Sequence, residues 1–170
     1  MLSYHMFPAI VAGTAVLMDL RSGKVDNGWI LFSMAAGFWM LLLEKGPDGI
    51  PGFALGAVFP LLLLGGLFLF GMMGAGDIKL FCVLGSVMGM EAVLKCIFLS
   101  MLTGACISFA ILKSEGNFCR RFHYFLNYVK ETAKTRQIRP YSKRDISSLE
   151  CFHFTVPIFL SAVLYAGGVY

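Results

Sequence analysis

The chain has 170 residues, 58% of them hydrophobic and 14% charged, with a net charge of +4 and a mean hydropathy of +0.75. Soluble globular domains carry about 25% charged residues, so that class is excluded. At about 20 residues per crossing helix, the length admits about six spans in one all-α, membrane-embedded domain over residues 1–170, with little left for a soluble domain.

Charge-poor runs give the elements in chain order. The first is about Tyr4–Met18. The small residues Ala12-Gly13-Thr14-Ala15 suggest a signal peptide, but no Lys or Arg precedes the run, so a retained first span is expected. Gly28–Leu43 is the second segment, and Ile50–Met73 the third, long enough to cross with some tilt. At about 1.5 Å per residue, Ile78–Leu112 is too long for one crossing. Gly89-Met90-Glu91 and Lys95 divide it into a short fourth helix and a fifth. Phe152–Val169 forms the sixth. Small residues four apart, Gly85/Gly89 and Ser100/Gly104/Ser108, suit close helix approach.

Between the fifth and sixth segments lies a basic stretch, residues 113–150. Phe118, Phe122, Phe125, Leu126 and Val129 recur there at helical spacing, with Arg120, Arg121, Lys130 and Lys134 among them. Two readings stay open: an amphipathic cytoplasmic helix resting on anionic lipid, or a solvated basic loop that enforces topology. With six spans, Arg21, Lys24, Lys79 and the nine basic residues of 113–144 share one side, leaving Lys45 and Lys95 on the other. The positive-inside rule then puts both termini outside, with Asp19 and Asp77 at the cytoplasmic ends of their helices.

These two acids are the candidate site. Ile50–Gly76 is free of charge, and then Asp77 and Lys79 appear together; Asp19 closes the first apolar run in the same way. An ionised aspartate near hydrocarbon costs roughly 2.5–3.5 kcal/mol on insertion scales, which marks such residues as functional candidates. Two neighbouring carboxylates do not both ionise cheaply, so one keeps a proton and acts as acid while the other acts as base. Such a pair activates water against a peptide carbonyl and protonates the departing amine. Gly74 and Gly76 would permit unusual backbone angles, and a close approach of substrate to the strand or turn carrying Asp77. The five cysteines are scattered, with no C-x-x-C pair, and no metal or cofactor is expected. His5 and His153 read as helix-end or packing residues, and only His123 falls clearly on the aspartate side. Two other classes remain: a proton- or ion-coupled carrier using the acids, and a non-catalytic pilus or secretion assembly factor. Acids at one interface rather than at mid-bilayer count against the carrier.

Asp19-Leu-Arg21-Ser-Gly-Lys-Val25-Asp-Asn27 resembles the first aspartate motif of the type IV prepilin peptidases, and Gly74-Ala-Gly76-Asp77-Ile-Lys79 their G-x-G-D-x-K motif. Val156-Pro157 is similar to the proline-containing start of their last span. The resemblance implies an aspartic endopeptidase of a prokaryotic plasma or inner membrane. It would remove the basic leader of prepilin-, pseudopilin- or preflagellin-like precursors at the cytoplasmic face, cutting after a glycine. Asp19 and Asp77 match the catalytic pair and Gly74 and Gly76 the motif glycines, with Lys79, Asn27 and Arg21 as supporting residues. The family commonly has proline where this chain has Asp26. Larger members carry an insertion with two C-x-x-C pairs and methylate the new N-terminus; this chain looks like the short, peptidase-only kind. The expected partners are leader peptides and anionic lipid, not nucleic acid.

Overall fold

A computed structural model describes residues 2–69, 73–114 and 153–170, and among these every regular element is helical. The elements are α1 (Leu2–Ser22), α2 (Asn27–Lys45), a 3-10 turn (Gly46–Gly49), α3 (Ile50–Leu69), α4 (Ala75–Met88), α5 (Met90–Ser114) and α6 (Thr155–Ala166). Residues 113–150 lie largely outside the described residues, as do the amphipathic helix expected there and His123.

The predicted break in the long apolar run falls at Gly89, whose φ of +85° ends α4 one residue before α5 begins. Gly89 is thus a helix stop, not the packing residue its four-residue spacing from Gly85 suggested. The actual partner of Gly85 is Gly56 on α3: each lies against the other's backbone carbonyl, with the Pro60 ring alongside. Close backbone approach of this kind joins α3 to α4, the most extensive helix pairing in the bundle.

α4 has 14 residues, about 21 Å of helix, and after Lys79 it is almost wholly apolar. It is the centre of the bundle, touching α1, α2, α3 and α5, and Leu80, Phe81, Val83 and Leu84 are buried completely or nearly so. Its neighbours turn their bulky apolar residues outward. Leu31 and Leu43 on α2 and Leu62 and Leu69 on α3 are all more than 70% exposed, a surface suited to lipid. The stretches Asn27–Leu69 and Met90–Ile111 are long and apolar enough to cross a membrane. Composition and this outer surface together make the protein membrane-associated.

α1 pairs closely with α6 and runs antiparallel to it. His5, near the start of α1, contacts the ring of Tyr165 near the end of α6, while Asp19 meets Thr155 at the opposite ends. Ala12 and Ala15 on α1 and Ala162 on α6 are fully buried, so the two backbones come close. His5 is the helix-end packing residue expected.

Candidate active site

α1 continues to Ser22 and is closed by Gly23, whose amide donates to the Asp19 carbonyl at 2.8 Å. Its φ of +66° is a conformation that favours glycine. The chain then turns into α2, where Asp26 is the N-cap and accepts from the Gly28 amide at 3.2 Å. Asp26 has φ −67°, close to the angle a proline ring imposes, so aspartate here keeps the backbone conformation that proline would give and adds a cap.

Asp77 sits in the first turn of α4, where the positive end of the helix favours a carboxylate. The backbone of Gly74 faces its carboxylate. The expected strand or turn is therefore a helix start. Gly74 is its N-cap in an extended conformation (φ −72°, ψ 144°) and Gly76 is helical, so neither uses a left-handed angle. Both remain open on one side: a Cβ on Gly76 would just reach Val25, and one on Gly74 would meet only the Asp77 carboxylate.

Asp19, Asp77, Gly74, Gly76, Lys79 and Asn27 line one cavity of about 570 Å³. The charge of Asp19 acts on Asp77 across it. Lys79 Nζ donates to Asn27 Oδ1 at 2.7 Å, tying the start of α4 to the start of α2. Arg21 does not line the cavity and is exposed on the last turn of α1. Residues two apart on a helix point to different faces, so Arg21 and Asp19 cannot both face the cavity.

Sequence reasoning missed two residues. His153 and Thr155, at the start of α6, both reach Asp19 Oδ2: His153 through Nδ1 at 2.9 Å and Thr155 through Oγ1 at 2.8 Å. His153 also lines the cavity. It belongs to the aspartate side and is not a packing histidine. The signal was available, because a sixth segment in an alternating bundle starts on the side where the first one ends.

The family comparison decides among the function classes. The sequence model of the type IV leader peptidase family matches residues 6–109. The chain belongs to that family. The match runs from the first turns of α1 through most of α5 and includes both aspartates, Asn27, Lys79 and the two motif glycines. No curated protein and no solved structure matches the chain. Family membership makes it a peptidase and removes the support for a carrier.

For this leader peptidase the Lys79–Asn27 contact gives a local prediction. Both side chains are exposed, so water replaces the lost hydrogen bond in Asn27→Ala, and stability falls by less than about 1 kcal/mol. Leader cleavage falls several-fold, because the starts of α2 and α4 lose their link beside the cavity. Thermal melting and cleavage rates, taken on the same preparation, separate the two effects.

Proposed function

We propose that the protein is an aspartic leader peptidase in which Asp19 and Asp77 form the catalytic dyad. The observation that carries this reading is the shared cavity: the two acids come from helices far apart in sequence and face the same space. One carboxylate takes a proton from water as the water attacks the scissile carbonyl. The other, protonated, hydrogen-bonds the carbonyl oxygen, and a proton then passes to the departing amine as the C–N bond breaks. Gly74 and Gly76 leave the start of α4 free of side chains, which suits an extended substrate segment lying against it.

The substrate is a prepilin- or preflagellin-like precursor with a short basic leader, cut after a glycine, without N-methylation of the product by this chain. The chain crosses the plasma or inner membrane of a prokaryote six times, with both termini outside and the cavity at the cytoplasmic face. Support comes from Lys24 and Lys79, which line the cavity beside the acids, and from the basic residues of the 113–144 stretch, which charge counting assigns to the same side. An assembly factor without catalysis would share the fold but not cleave.

Purified protein in liposomes, given a synthetic peptide with a Lys/Arg-rich leader, a glycine and an apolar helix, tests this directly. Mass spectrometry is expected to find a single cut after the glycine. An uncut peptide, with folded protein present, would favour the assembly factor.

A further inference from the structure

We propose that His153 and Thr155 hold Asp19 as the ionised member of the dyad, making Asp19 the general base and leaving Asp77 as the acid. The inference rests on the dyad reading above. His153 and Thr155 act here as positioning residues, through Asp19 and not on the substrate.

Their hydrogen bonds converge on one atom. His153 Nδ1 and Thr155 Oγ1 both meet Asp19 Oδ2, leaving Oδ1 outside these two contacts, and Asp19 lines the cavity. An ionised carboxylate only accepts, so Nδ1 carries the proton and the tautomer of the imidazole is fixed. Two donors converging on one oxygen match an acceptor-only carboxylate. They act where help is needed, because Asp19 lies in the last turn of α1, at the helix end that opposes negative charge. Its side chain is only 13% exposed, so water alone solvates it poorly. Thr155 is buried at the start of α6, and His153 precedes it by two residues, so the last helix sets the position of Asp19.

Asp77 gains from the positive end of α4 and from the Gly74 backbone, but it faces the charge of Asp19 and has no comparable pair of side-chain donors among the described residues. Among the described residues, the charged and titratable groups that share the cavity are Asp19, Asp77, Lys24, Lys79 and His153. Lys79 is engaged with Asn27, and no hydrogen bond joins Lys24 to either acid among the described residues. The asymmetry between the acids therefore comes from the start of α6.

The test is the pH–rate profile of leader-peptide cleavage in liposomes for wild type, His153→Ala, His153→Asn and Thr155→Val, with Asp19→Asn as control. His153→Ala is expected to lower kcat about 10-fold, less than the 10²–10⁴ expected for loss of an acid–base group, with KM unchanged. Without the donor the ionised form of Asp19 is harder to keep, so the acidic limb of the profile moves to higher pH. The Asn amide can replace Nδ1–H without titrating, so His153→Asn keeps the acidic limb near that of wild type. Thr155→Val, which keeps the side-chain shape, moves that limb in the same direction as His153→Ala and carries the test if His153→Ala does not fold. Wild-type profiles in both His153→Ala and Thr155→Val would overturn the proposal, and so would movement of the alkaline limb alone, which would make Asp77 the base. Cleavage by Asp19→Asn would instead overturn the dyad itself, while an inactive Asp19→Asn beside an unaltered His153→Ala would overturn only the inference drawn here.

Discussion

Asp19→Asn and Asp77→Asn each reduce leader-peptide cleavage by about 10²–10⁴-fold, the range expected when an acid–base group is lost from a reacting centre. The amide has nearly the shape of the carboxylate but neither accepts a proton nor carries charge. Folding is retained in both variants, because each changes a carboxyl group at a helix end beside the cavity and leaves the core untouched. At Asp19 the Thr155 donor still has the amide oxygen to bond, so α1 and α6 stay together. At Asp77 the Gly74 backbone keeps a partner. The loss therefore appears in kcat and not in the melting temperature, which distinguishes a catalytic role from a structural one. A melting temperature that fell in step with activity would assign the aspartates to the fold instead.

The second large effect concerns stability. A Cβ at Gly56 would fall on the Gly85 carbonyl, and one at Gly85 on the Gly56 carbonyl, so a side chain at either site has only backbone to displace. Overpacking of a tight core costs typically about 1–3 kcal/mol, and a rigid backbone neighbour puts these positions at the upper end of that range or beyond it. Gly56→Ala and Gly85→Ala should both lower the melting temperature in detergent, and Gly85→Leu should prevent folding. Activity goes with it, because α4 carries Asp77 and α3 is its main support. Gly52 and Gly65 on the same helix, α3, have nothing within 4 Å of an added Cβ. Alanine there removes backbone freedom without a clash and is expected to be neutral or stabilising by about 0.5–1 kcal/mol. Equal melting of Gly56→Ala and Gly65→Ala would contradict the packing account.

The helices were legible because charge-poor runs and their breaks mark helix ends directly. The split at Gly89 and the common end for Asp19 and Asp77 followed from that pattern and from counting lysines and arginines. The burial of α4 did not follow. A helix that is apolar all round beyond its first turns reads the same whether lipid or protein surrounds it. Gly74 is legible as a special position, but its spacing does not say whether it caps a helix in extended backbone or turns the chain. Arg21 belongs to the first aspartate motif in sequence, but a helix separates residues two apart onto different faces. His153 was read in isolation, and its place beside Asp19 depends on the pairing of the first and last helices, a contact spanning 134 residues. Long-range pairing of that kind is what a hydropathy pattern cannot carry.

Whether Asp19 and Asp77 act as one unit is decided by a double-mutant cycle on single-turnover cleavage. Rates for wild type, Asp19→Asn, Asp77→Asn and the double variant would be compared on one leader peptide in liposomes. Two members of one dyad are grossly non-additive, so the double variant is predicted to be no slower than either single variant. Additive losses, or substantial cleavage by either single variant, would show that the two aspartates do not share one catalytic step.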